Sequence, residues 1–296
     1  MTRPTRPSDE LLGAHVSTQG GVHTAPARAK AIGATALQLF TKTPSQWREP
    51  VIGPETRERF RGELARTGIR AVVSHDSYLI NLASPDSTLN ARSVNSFIAE
   101  LQRCETLAIP AVVSHPGNHI DGREAGLRRN AASYARCLER VPGRVMVLLE
   151  TTAGSGTALG RSFEELAELR DRIPEPHRAR IGFCADTCHL YSAGYDLVGD
   201  YDGVWDRWDK VIGLPLLRCL HLNDSKTSFA SHRDRHELIA KGSLGADPFR
   251  RIMRDPRLRH VMKIIETPKG EDMVTLDRKM LRRLRAYARG DRVVRR

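Results

Sequence analysis

Eight short apolar runs, often β-branched, recur along the chain: 11–16, 36–40, 70–74, 111–114, 145–149, 181–185, 217–222 and 261–265. Each has about the length of a buried strand. Between them lie longer stretches with apolar residues at helical spacing: 25–32, 55–67, 93–107, 124–140, 162–172, 204–211, 248–254 and 275–288. In 93–107, for example, Val94, Ile98, Leu101 and Leu107 share one face, with Ser93 in the capping position. Eight strands alternating with eight helices predict an α/β fold, a closed parallel (β/α)8 TIM barrel. An open doubly wound sheet carries fewer strands in such even alternation, and no GxGxxG follows the first run. No low-complexity linker breaks the rhythm. A single domain is therefore expected over 11–290, with a polar extension at 1–10 and a basic tail at 291–296.

The ends of the runs carry the chemistry. His75 and His115 each end the string VVSH, Glu150 ends VMVLLE, Asp186 ends IGFCAD, His221 follows LRCL and Glu266 ends MKIIE. Successive separations of 40, 35, 36, 35 and 45 residues are each close to one βα unit. The third to the eighth strands thus all end in a good metal ligand, and in a barrel those ends meet on the face where active sites are built. One such residue alone is an ordinary hydrogen-bonded group. Six in phase are not, because each buried polar group would need its own partner.

Three further residues extend the set. His189 lies three residues after Asp186, so a helical turn brings the two onto neighbouring directions. Asp234 and His236 form D-x-H in a charged loop, and in extended backbone both side chains point the same way. Five His, two Asp and two Glu suit zinc, with manganese and iron as rivals, and nine ligands fit two or three ions rather than one. His15, ending the first run, and His119, in HPGNH, either face the same mouth or pack beside it. Cys184 and Cys188 read as buried thiols, and Trp205 and Trp208, three apart, as core.

Composition narrows the setting. The chain is 40% hydrophobic, enough for a large core, and its five cysteines include no CxxC pair, which fits a reducing, cytoplasmic compartment. No run approaches ~18 apolar residues, so no membrane helix is expected, and the polar first ten residues do not read as a secretory leader. The net charge, 47 − 35 = +12, points to a polyanionic partner, and 39 of the basic residues are arginine. Residues 278–296 alone carry +8, nine basic residues against Asp291. That stretch is read as a solvated helix and end, with a clamp on DNA phosphates as the alternative.

Seven strings now acquire a family likeness. GAHVSTQGG (13–21), SHDSYLINLASP (74–85), HPGNH (115–119), ETTAGSGTALG (150–160), DTCHLYSAGYD (186–196), HLNDSK (221–226) and DRHELIAKGSLG (234–245) resemble the motifs of the endonuclease IV family. These are zinc-dependent apurinic/apyrimidinic endonucleases on a (β/α)8 barrel. The resemblance implies three zinc ions, with manganese as an alternative at one site. His75, His115 and Glu150 would hold the first; Glu150 would bridge to the second, completed by Asp186, His221 and Glu266; His189, Asp234 and His236 would hold the third. It implies hydrolysis of the phosphodiester 5′ to an abasic site in duplex DNA, leaving a 3′-hydroxyl, and extends to trimming of 3′ ends. Glu150 and Glu266 become the candidates to orient water or take its proton, and Tyr78 and Leu79 those that enter the DNA at the gap. The implied partner is double-stranded DNA containing abasic sites, met by a monomer with no membrane association, at the nucleoid in a prokaryote. Two positions depart from the family: Ser45 stands where some members carry arginine, and Ala240 where glycine is common.

Two other readings compete. A metal-dependent sugar isomerase or epimerase on a similar barrel needs one or two metals and leaves His189, Asp234 and His236 unused. A non-catalytic zinc-dependent DNA-binding protein would hold its metal in a closed, cysteine-rich site.

Overall fold

Side chains alternate across a strand, and this chain buries both faces of every strand: one inside a barrel, the other under helices. The computed structural model describes residues 10–290. Nearly all of the polar extension, and the whole tail 291–296, lie outside the described residues. The strands are β1 (Leu12–His15), β2 (Ala36–Leu39), β3 (Ala71–His75), β4 (Ala111–Ser114), β5 (Met146–Glu150), β6 (Ile181–Asp186), β7 (Leu217–His221) and β10 (Met262–Ile265). They close into one parallel barrel, with β10 pairing back onto β1. Two short strands, β8 (Asp224–Ser225) and β9 (His236–Glu237), form an antiparallel ribbon above it. The helices are α1 (Ala25–Ala31), α2 (Pro54–Thr67), α3 (Ser87–Leu107), α4 (Arg123–Arg140), α5 (Phe163–Arg172), α6 (Glu175–Arg178), α7 (Thr187–Ala193), α8 (Tyr201–Val211), α9 (Asp247–Arg254) and α10 (Thr275–Arg289).

The strand ranges match the sequence expectation to within a residue, but four helices differ, the one-turn α6 having no counterpart in it. α3 starts at Ser87, not Ser93, because the Asp86 carboxylate accepts from the N–H groups of Thr88 (2.8 Å) and Leu89 (3.0 Å). Ser93 is instead buried inside the helix, where its hydroxyl accepts from Asn81 N. α8 starts at Tyr201, not 204, behind an Asp200 cap. α7 was legible only as the turn carrying His189; six of its seven residues are buried, so it has no polar face to give it a helical period.

The core has two shells. Inside the barrel lie Ala36, Val73, Val113, Leu148, Cys184, Cys219, Met262 and Ile264. Outside it the helices pack on the other strand face, with Trp205 and Trp208 fully buried there as core residues. All five cysteines are free and buried. Gly13 lets β1 meet β2: a Cβ there would fall 1.8 Å from the carbonyl oxygen of Ala36. Between β6 and β7 the register shifts. Phe183 faces Leu217 but Cys184 faces Cys219, so exposed Arg218 is an extra residue in a bulge.

α10 ends at Gly290 in a left-handed cap, and its arginines are largely occupied. Arg278 donates to the Ala31 carbonyl, Arg283 to Ile239 and Arg285 to Gly33 in the turn before β2. Since that turn lies at the N-terminal ends of the strands, the helix ends on the face opposite the ligand-bearing mouth.

Candidate metal centre

Two residues beyond each innermost side chain, the next inward position of every strand reaches the mouth. Gly13, Ala36, Val73, Val113, Leu148, Cys184, Cys219 and Ile264 are followed in this way by His15, Gln38, His75, His115, Glu150, Asp186, His221 and Glu266. All eight mouth positions are polar. Six are the strand-end residues expected from the sequence, His15 joins them, and Gln38 was missed. Its signal was a single amide in the otherwise apolar string ALQLF.

Glu150, fully buried, lies at the centre with its two oxygens turned different ways. Oε2 is 3.2 Å from His75 Nε2 and 2.8 Å from His115 Nε2, whereas Oε1 is 2.8 Å from His221 Nδ1. His221 Nδ1 also lies 3.2 Å from Glu266 Oε2 and 3.9 Å from Asp186 Oδ2. Beside them Asp234 sets Oδ2 3.1 Å from His189 Nε2 and Oδ1 3.1 Å from His236 Nε2. Potential ligand atoms therefore gather, each set within 4.8 Å, as His75–His115–Glu150, Glu150–Asp186–His221–Glu266 and His189–Asp234–His236. All nine sequence candidates are in these three groups.

The far side of four imidazoles is anchored. His75 Nδ1 meets the Asp76 carbonyl at 3.0 Å, His189 Nδ1 the Thr151 carbonyl at 2.8 Å, His236 Nδ1 the Glu266 carbonyl at 3.3 Å, and His221 Nε2 the Gln38 amide oxygen at 2.7 Å. A donor bond on one ring nitrogen leaves the lone pair of the other aimed at the centre, the arrangement that metal-binding histidines use. Asp186 divides its carboxylate: Oδ1 caps α7 through Cys188 N and His189 N, and Oδ2 faces the site.

Electrostatics fit a cation. Burial alone would lower the imidazole pKa values, but the carboxylates outweigh it. His75 and His221 stand well above the ordinary value, His189 is raised to about 10 and His236 to about 9. Desolvation would raise the carboxylates, but neighbouring histidines outweigh it: fully buried Glu150, half-buried Glu266 and exposed Asp234 are all held below the ordinary value. The site thus gathers positive charge around its carboxylates. His236 Nε2 is buried between two carboxylate oxygens, Asp234 Oδ1 at 3.1 Å and Asp186 Oδ2 at 3.5 Å, a setting that suits a cation among them. Burial, followed by Asp186, pushes the Cys188 thiol up to about 12, which leaves it protonated and a poor ligand.

The loop carrying Asp234 and His236 is fastened rather than solvated. Asp224 accepts from the backbone N–H groups of Lys241, Gly242 and Leu244, and Lys226 N donates to the Arg235 carbonyl. Ala240, at the position where the family favours glycine, takes φ 62°, the left-handed conformation glycine would supply. Ser45 is exposed on the loop after β2. Beneath that loop a buried network escaped sequence reasoning. Arg103 donates to Thr41 Oγ1, Glu49 Oε2 and Glu100 Oε2, each at 2.7 Å, and Lys42 Nζ donates to Glu49 Oε1 at 2.7 Å.

A cavity of about 760 Å³ opens over the centre between Phe40, Pro44, Tyr78, Lys269 and Met273. Tyr78 is 71% exposed and meets the Phe40 ring edge-on at 5.2 Å; Leu79 beside it is half-buried. His15 packs on Phe40 with ring centroids 4.3 Å apart. His119 lies outside the three groups, its backbone N–H bonded to the Thr157 carbonyl.

Comparison with known proteins adds a lineage to this geometry. Residues 26–285 match the family model described as xylose isomerase-like TIM barrel. The chain is 47% identical, over 94% of its length and 98% of the relative's, to a protein named probable endonuclease 4 from Chloroflexus aggregans. The solved endonuclease IV of Thermus thermophilus is 35% identical and superposes with a TM-score of 0.84, over 94% of this chain and 99% of that one. A D-tagatose 3-epimerase-like protein, 16% identical with a TM-score of 0.68, shares the fold alone.

Proposed function

The chain belongs to the xylose isomerase-like TIM barrels and, among them, to the endonuclease IV proteins, nucleases of DNA repair; on that premise we propose that it hydrolyses the phosphodiester 5′ to abasic sites in duplex DNA, using three zinc ions and leaving a 3′-hydroxyl. The observation that carries this reading is the division of nine ligands into three groups, two of which share Glu150 through its two oxygens. His75, His115 and Glu150 would hold one ion, Glu150, Asp186, His221 and Glu266 a second, and His189, Asp234 and His236 the third. Four carboxylates against six positive charges leave +2, which suits a phosphodiester. When bound, such ions neutralise phosphate oxygens and make a nearby water more acidic.

The protein groups divide the remaining work. Glu150 is sealed, its side chain 1% exposed, whereas Glu266 is 18% exposed and lines the cavity. Glu266 is therefore the carboxylate that can meet the attacking water and take its proton. Tyr78 and Leu79 stand at the rim as aromatic face and apolar wedge for the gap in the bent duplex. Trimming of 3′ ends follows from the same chemistry wherever a blocked end reaches the centre. The sugar isomerase reading gives the third group no task.

The test is incision of a duplex carrying one tetrahydrofuran site, with product ends identified and metal content measured. That analogue cannot undergo β-elimination, so a 3′-hydroxyl product from protein holding about three zinc per chain supports the proposal. An uncut duplex refutes it.

A further inference from the structure

Gln38 and His15 occupy the two mouth positions that none of the three ligand groups uses. Gln38 is wholly buried, and its amide touches three neighbours. Nε2 donates to Glu266 Oε1 at 2.6 Å and lies 2.9 Å from His15 Nδ1, while Oε1 lies 2.7 Å from His221 Nε2. An ionised carboxylate only accepts, so Glu266 fixes which end of the amide is the NH2. The opposite end must then accept, so His221 carries its proton on Nε2 and turns a bare Nδ1 toward Glu150, Asp186 and Glu266. His15 Nδ1 lies 2.9 Å from the same amide nitrogen and 3.3 Å from Glu266 Oε1. Two N–H donors 2.9 Å apart would repel, so the shorter contact assigns Nδ1 as acceptor from Gln38 and puts the proton of His15 on Nε2. That nitrogen is buried and has no partner among the described residues, at the wall of the cavity that His15 lines.

We propose that Gln38 is a positioning residue that sets opposite tautomers on its two flanking histidines: His221 as an Nδ1 metal ligand, and His15 as an Nε2–H donor to a backbone oxygen of the DNA in the cavity. The inference rests on the metal-dependent reading above and extends it to two residues that bind no metal. Outer partners of this kind are typically worth about 10–100-fold in metal affinity or activity.

Three variants of the zinc-loaded full chain test it, read by zinc competition with a chromophoric chelator, imidazole nitrogen-15 NMR and cleavage kinetics. Gln38→Met should bind its weakest-competing zinc about 10–100-fold less tightly and lose the fixed His221 tautomer. Gln38→Glu keeps an acceptor for His221 but no donor for His15 or Glu266. It should retain the His221 tautomer and zinc, yet cleave poorly; should Gln38→Met not fold, this variant carries the test. His15→Ala should keep its full zinc and lower kcat/KM at least tenfold. Wild-type zinc affinity in Gln38→Met, or loss of the tautomer in Gln38→Glu, would overturn the role of Gln38. Cleavage within twofold of wild type in His15→Ala would overturn that of His15. A wild-type protein that holds zinc but leaves abasic duplex intact would instead count against the nuclease reading, with NMR and zinc affinity still deciding on Gln38.

Discussion

Arg103→Met should be among the most damaging single changes outside the metal groups. The side chain is 3% exposed and makes three bonds at 2.7 Å, to Thr41, Glu49 and Glu100. Methionine keeps the apolar stem but removes all three. Glu49 loses little, because it is partly solvated and keeps Lys42 and Ser96 as donors. Glu100 loses more. Its carboxylate is 1% exposed and would be left with the hydroxyls of Ser74 and Thr41, both at 2.6 Å, and the weak thiol donor of Cys104 at 3.7 Å. Stripping one partner from a buried ion pair costs ~3–5 kcal/mol, and the surviving hydroxyl donors place this case near ~3. For 296 residues the unfolding entropy near the midpoint is ~0.6 kcal/mol per degree, so the melting temperature should fall by roughly 5 °C. Combining Glu100→Gln with Arg103→Met should recover part of that, because the orphaned charge is gone. The network underlies the loop that brings Thr43 and Pro44 to the cavity, so KM for DNA should rise more than kcat falls. Calorimetry on the metal-loaded variants gives the first number and steady-state incision the second. A melting shift under 1 °C, or a double variant weaker than Arg103→Met, would refute the account of an uncompensated carboxylate.

Other outcomes follow from the same geometry. His115→Ala should lose zinc without unfolding, since this side chain is 41% exposed and touches the site chiefly through Glu150; undiminished zinc content would exclude it as a ligand. Glu266→Gln should abolish incision with the melting temperature nearly unchanged, and a rate within tenfold of wild type at full zinc content would remove it from the chemistry. Ala240→Gly relieves a left-handed alanine and should stabilise the protein by about 0.5 kcal/mol, as strain relief exceeds the added chain entropy. A loss of stability in urea titration would show that the methyl's packing matters more. Lys263 is buried with its ammonium on the Leu258 and Val261 carbonyls, and burial lowers its pKa to about 8. A depressed lysine binds its proton less well when folded, so its penalty is full below pH 8 and fades toward the unfolded value near 10.5. Wild type should therefore gain up to ~3 kcal/mol on Lys263→Met between pH 7 and 10; a constant difference would argue against a strained ammonium.

The barrel and six of its eight mouth residues were legible because they obey one repeat: an apolar run, a polar end, about 36 residues to the next. Gln38 was not, because one amide in ALQLF gives no hint of its face or neighbours until β1 and β7 close around it. His15 read as facing the mouth or packing beside it; counting by two from Gly13 decides for the mouth once the strand start is known. Glu100 and Arg103 lie three apart on α3, a spacing that surface ion pairs share; the loop over them is what takes them out of water. The basic stretch from 278 onward is a different case. Charge summed along 278–296 cannot show that Arg278, Arg283 and Arg285 are occupied with backbone carbonyls.

The bulge at Arg218 makes the length of β7 as informative as its spelling. Leu217 faces the helices and Cys219 the barrel interior, a half-step that regular alternation would not permit. Arg218 absorbs it as the one residue of β7 without a counterpart on β6. Take it out, and Leu217 and Cys219 become ordinary neighbours on opposite faces, paired without a break to Phe183 and Cys184. His221 would still meet Asp186 and still face inward. At this point the gene should therefore accept a codon deletion as readily as a spelling change, a tolerance that no position from Cys219 to His221 shares, because a slip there turns the histidine out of the centre.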